Sequence, residues 1–109
     1  MNWEVRFLPE AEKDFSELDD SQKLLVRKAI KKVSQNPLPQ AEGGFGKPLG
    51  NRGNANLTGF LKVKLRAAGL RIVYKLVRQD GHMLVVVIGA RANDEVYQIA
   101  QHRREKHDL

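Results

Sequence analysis

The chain has 109 residues, with 41% hydrophobic and 29% charged residues, a soluble globular mix with room for one domain over 1–109. Nineteen Lys and Arg against thirteen Asp and Glu give a formal charge of +6, which attracts polyanions such as nucleic acid, an anionic membrane or an acidic protein. The absence of cysteine excludes disulfide frameworks, thiolate metal sites and Cys nucleophiles. No apolar run has membrane-spanning length and no secretory h-region is visible, so the expected location is cytoplasmic.

The basic excess is uneven. Residues 1–61 hold nine bases and eight acids, residues 62–109 ten bases and five acids, and Gly43 to Gln79 eight bases and no acid.

Trp3, Val5 and Phe7 alternate with Glu4 and Arg6, the period of a half-buried strand. Pro9 suits a first helical turn. Ala11, Phe15 and Leu18 then recur at helical spacing, with Glu10, Glu12 and Asp14 towards the helix N-terminus, where the dipole favours acids. Asp19-Asp20-Ser21 breaks this helix and offers an N-cap for a second one. That helix carries an apolar stripe of Val26, Ile30 and Val33 and ends at Asn36-Pro37. Pro37 to Gly59 reads as a connector rich in Gly, Pro and Asn, long enough to suggest a functional or mobile segment.

Leu61, Val63 and Leu65 alternate with Lys62, Lys64 and Arg66, and a short Gly-containing turn leads to a return strand over Arg71–Leu76. Met83–Ile88 is continuously apolar and reads as a strand buried on both sides. A last helix is predicted over Glu95–Arg104. The expected fold is α+β: a helix hairpin and a C-terminal helix packed on one face of a mainly antiparallel four-stranded sheet, in the order β-α-α-β-β-β-α.

Residues i, i+2 and i+4 of a strand share a face, so Lys62, Lys64 and Arg66 are expected in a row facing outward, with Arg71 and Lys75 added by the return strand. Arg91, after the buried strand, and Tyr97, one turn into the last helix, can reach the edge of that surface. A Lys-rich strand face also serves simply to prevent edge pairing, and the pattern alone leaves both readings open. His82, His102 and His107 lack metal-ligand spacing. Gly43-Gly44-Phe45-Gly46-Lys47 has no Walker spacing and follows no strand. No cofactor is implied. The cationic stretch lacks the interleaved aromatics of a single-strand-binding sheet, and Trp3 reads as core.

Several segments together resemble the RelE/ParE superfamily of bacterial toxins. They are Phe7-Leu8-Pro9-Glu10-Ala11-Glu12-Lys13-Asp14-Phe15, Asn36-Pro37, Lys47-Pro48-Leu49, Leu57-Thr58-Gly59, Leu61 to Arg66, Gly69 to Tyr74, and Gly89-Ala90-Arg91 through Glu95-Val96-Tyr97. The likeness covers nearly the whole chain and is nearer to the RelE branch. It implies a toxin of a type II toxin–antitoxin system, a ribosome-dependent endoribonuclease that cuts messenger RNA in the ribosomal A site.

The RelE-type catalytic pattern falls on Lys62, Lys64, Arg71, Arg91 and Tyr97, with Arg66 and Lys75 as further basic positions towards RNA and ribosome. In this reaction a ribose 2′-OH attacks the adjacent phosphate, so the site must orient the attack, remove a proton and stabilise negative charge. Tyr97 is the expected general base, its phenolate favoured by neighbouring cations, with Lys64 sharing that role. Lys62, Lys64 and Arg71 are expected to hold the phosphate and Arg91 to brace it. The implied partners are an acidic antitoxin, the ribosome and messenger RNA, and operator DNA only through the toxin–antitoxin complex. The alternatives are a ParE-like, non-enzymatic gyrase inhibitor and a DNA-binding partner in an autorepressor complex.

Overall fold

The alternating N-terminal segment is realised as β1 (Glu4–Phe7), and Pro9 opens α1 (Pro9–Ser16). The computed structural model describes residues 3–52, 55–90 and 93–109. Helix α2 (Asp20–Val33) starts with a reciprocal cap. The Gln22 N–H donates to the Asp19 carboxylate at 2.7 Å, and the Asp19 N–H donates to the Gln22 side-chain oxygen at 3.2 Å. Two of the orphan donors of the helix start are thereby satisfied.

The segment expected as a connector is structured. After a 3-10 turn (Gln40–Glu42), β2 (Lys47–Arg52) pairs antiparallel with β3 (Ala55–Leu65), which begins well before Leu61. The sheet therefore has five strands rather than four. Pro48 and Gly50 disguise β2, since both depress strand propensity. Proline is tolerated there because β2 is an edge strand, and the pairing register shifts between Pro48 and Gly50. A 3-10 turn (Arg66–Ala68) leads to β4 (Leu70–Val77), β5 (His82–Gly89) and α3 (Asn93–Lys106). The sheet order is β1-β5-β4-β3-β2, with β1 parallel to β5 and every other pair antiparallel.

Helices flank both faces, not one. Val63, Ile72, Tyr74 and Met83 meet Ala29, Ile30 and Val33 of α2. Lys62, one residue from Val63 and so on the opposite face, meets Tyr97 of α3. The apolar run of β5 is buried throughout, with Val85, Val86, Val87 and Ile88 in the core, as expected for a strand covered on both sides.

Strand β1 pairs with β5 only as far as Val85. Beyond that point side chains cover the open edge. Asp14 of α1 accepts from the Ile88 N–H at 3.1 Å, and Arg103 of α3 donates to the Val86 carbonyl at 2.8 Å. Arg103 also clamps both Asp14 oxygens, at 2.6 and 3.2 Å. A second tie joins the same helices: the Glu10 carboxylate lies 2.9 Å from His107 Nε2 and 3.1 Å from the Lys106 ammonium.

The His107 bond, the helix backbone and Lys106 lower the Glu10 pKa from 4.5 to about 2. A depressed folded-state pKa contributes stability that is complete above the ordinary value and fades as pH falls towards the folded one. Glu10→Gln should therefore lower Tm at pH 6, and the gap to the parent protein should close between pH 4.5 and 2. Thermal melts across that range measure it.

Candidate functional site

Three of the predicted cations lie along one cleft. It encloses about 400 Å3 and is lined by Gln40, Phe45, Lys47, Lys62, Val63, Lys64 and Arg66. Strand register accounts for the grouping. Lys47 of β2 stands opposite Lys62 of β3, and Lys64 stands opposite Arg71 of β4. Residues directly opposite in an antiparallel pair are about 4.5–5.5 Å apart, so four cations of like sign are packed together.

The expected outward row of three is only partly present. Lys62 is 4% exposed, and its amine donates to the Tyr97 hydroxyl oxygen at 2.7 Å, with the ammonium 5.4 Å from the ring centre. It faces α3, not solvent. Lys64 is exposed. Arg66 has left the strand for the following 3-10 turn, yet still lines the cleft. Lys75 stands over Phe60, 5.9 Å from the ring centre, and is not among the residues lining the cleft. Tyr97 is 4% exposed, beneath the cationic surface rather than on it. Arg91 lies outside the described residues.

Crowding shows in the electrostatics. The Lys64 pKa is lowered from its ordinary value of 10.5, first by the charge of Lys62, then by burial and by the charges of Arg71 and Lys47, while Tyr97 acts in the opposite sense. Lys64 is thus an exposed amine whose charged form is disfavoured by its cationic neighbours, the direction of shift that suits a general base.

Three cleft residues, Gln40, Phe45 and Lys47, are not picked out by the strand patterns. Lys47 belongs to the β2 strand that Pro48 and Gly50 disguise. Phe45 sits in the glycine-rich segment that lacks Walker spacing. The register of β2 against β3 carries Lys47 to the cations, Phe45 is set beside them by backbone bonds of the preceding loop, and a connector read as irregular gives neither. A larger cleft of about 470 Å3, between β1, α1 and α2, is lined by Val5, Phe7, Phe15 and Ile30 together with Glu12, Arg27, Lys31 and Ser34, a set of mixed charge rather than a cationic cluster. Among the described residues no cluster of His, Asp and Glu could hold a metal ion, and no helix is long and apolar enough to cross a membrane.

No family model matches the chain. It is 32% identical over 104 residues to an Escherichia coli protein described as a RelE-like toxin, covering 94% of this chain and 98% of the relative. The fold is similar to that of a double mutant of the Escherichia coli toxin RelE in the free state, with a TM-score of 0.73 at 25% identity over 94% of this chain and 98% of that one. The same mutant toxin in complex with a peptide of the antitoxin RelB gives 0.67 at 25% identity, over 92% and 95%. A chain of the Mycobacterium tuberculosis RelBE toxin–antitoxin complex gives 0.67 at 22% identity, over 84% and 100%.

If Lys62 is the main cause of the Lys64 shift, then Lys62→Met should move the Lys64 titration upward towards 10.5. Methyl-lysine NMR across pH 7–11 reads this directly. An unmoved titration would contradict the assigned cause.

Proposed function

This chain belongs to the RelE-like toxin family, and from that premise we propose that it is the toxin of a type II toxin–antitoxin pair and a ribosome-dependent endoribonuclease. The observation that carries the reading is the convergence of Lys62, Lys64 and Arg71 with Tyr97 on one side of the sheet. Such a cluster repels itself and is relieved by an anion, and an RNA phosphodiester supplies one.

In the proposed reaction the 2′-OH attacks the adjacent phosphate. The new P–O bond closes a 2′,3′-cyclic phosphate, and the P–O5′ bond breaks, the departing 5′-oxygen taking a proton from water to become a 5′-OH. The base role moves from Tyr97 to Lys64: Lys64 is exposed and its pKa is lowered, whereas the Tyr97 oxygen is buried and already accepts from Lys62. Lys64 takes the 2′-OH proton as the neutral amine. The charges of Lys62 and Arg71 stabilise the developing negative charge. Tyr97 acts as a positioning residue that fixes the Lys62 ammonium. Arg91 is assigned to the phosphate and leaving oxygen, as an electrostatic brace rather than an acid, because a guanidinium hardly gives up its proton.

The ribosome is the partner that bends the message into line for attack. Lys47, Arg66 and the neighbouring cations suit contact with the RNA backbone. The solved complexes of RelE-type toxins with RelB antitoxins support an antitoxin partner, and the basic surface suits an acidic one that folds on binding.

Lys64→Met should reduce single-turnover cleavage of ribosome-bound message about 100- to 10,000-fold, the usual cost of losing a general base. Arg71→Ala and Tyr97→Phe should each abolish growth arrest while circular dichroism and Tm report an intact fold. Primer extension after induction should show codon-positioned cuts. Undiminished toxicity in a folded Arg71→Ala/Tyr97→Phe double variant, or DNA damage without message cleavage, rejects the reading.

A further inference from the structure

Phe45 is 41% exposed at the lip of the cationic cleft. Fully burying a phenylalanine typically contributes about 1.5–3 kcal/mol, part of which this position forgoes. The backbone that carries the ring is pinned. The Phe45 N–H donates to the Asn36 carbonyl at 3.1 Å, and the flanking glycines donate to Pro39 and Leu38 at 3.1 Å each. A side chain at position 44 would strike the Leu38 backbone, and one at position 46 the Tyr74 hydroxyl and Leu61. Tyr74 is itself pinned, donating to the Pro37 carbonyl at 2.6 Å. The loop therefore presents an apolar ring to solvent from a rigid, glycine-locked base. The Lys32 ammonium stands over one face of the ring, 5.1 Å from its centre, so a base stacks on the other face or displaces this flexible side chain.

An exposed aromatic on a rigid mount beside phosphate-binding cations is the arrangement that holds an unpaired nucleobase: the ring stacks the base and the cations hold its backbone. Gln40, which also lines the cleft, offers an amide with both donor and acceptor for a base edge. We propose that Phe45, Gln40 and Lys47 form a nucleobase subsite for a single-stranded RNA nucleotide flanking the cleaved phosphate, with Phe45 the stacking platform. This deepens the nuclease reading and rests on it for the identity of the strand.

The test needs neither ribosome nor cleavage. A 2′-O-methylated trinucleotide, which cannot be cut, and an abasic analogue carrying the same phosphates are titrated into the full chain by NMR, up to millimolar concentration. Phe45→Ala should weaken the trinucleotide about 5- to 150-fold, the range for one lost base–aromatic stack, and leave the abasic analogue unchanged. Phe45→Trp should restore affinity, with its indole emission quenched by the trinucleotide and not by the analogue. Equal loss for both ligands, no loss for either, no base-dependent binding by the parent protein, or a loss confined to antitoxin binding overturns the subsite. Base-dependent binding in a protein that fails to cut ribosome-bound message would uphold the subsite and reject the nuclease.

Discussion

Arg103 reaches two targets at once, the Asp14 carboxylate and the Val86 carbonyl, and the position of α3 depends on that reach. The ion pair is largely buried, with side chains 15% and 19% exposed. Burying such a pair costs desolvation that its Coulomb gain only roughly repays, while removing one partner costs about 3–5 kcal/mol. Its value is therefore geometric. It closes the bare edge of β5, fixes the far end of α3 against α1, and leaves Tyr97, six residues earlier, seated over Lys62.

From that seat follows the character of the cationic face. The core could have placed an aliphatic residue at position 62. It holds an ammonium instead, solvated by a phenol oxygen and the face of its ring. Lys47, Lys64 and Arg71 then crowd around a charge that water cannot fully screen. The cluster opposes folding and favours a bound anion, and both effects have one cause. Local conflict of this kind, at variance with an otherwise consistent fold, is where function is usually found.

Much of the architecture was legible because its periodicities are clean. The alternation around Val5 and Val63, the helical stripe of Val26, Ile30 and Val33, and a cap within Asp19-Asp20-Ser21 all appear, with Asp19 the residue that forms the cap. The missing strand was hidden by Pro48 and Gly50, whose tolerance depends on an edge position that only tertiary structure creates. The outward row of cations failed at Lys62 for a related reason: alternation assigns a face, but not what covers it. With both faces carrying helices, one lysine of the row became buried. Their position in the sequence pairs the acids of α1 with the helix dipole. In the fold Asp14 and Glu10 hold α3, a role set by residues nearly ninety or more positions away.

The parallel register of β1 against β5, with Glu4 opposite His82, also sets an order of events. The helix hairpin closes on neighbours in sequence, but the strand preceding it has no mate until β5 has been synthesised. Contacts of such long separation are slow to form. Tyr97 emerges later still, so a nascent chain has all of its β-sheet cations before it has the residue that seats one of them. Assembly of the site thus waits on α3 as well as on the strands that precede it.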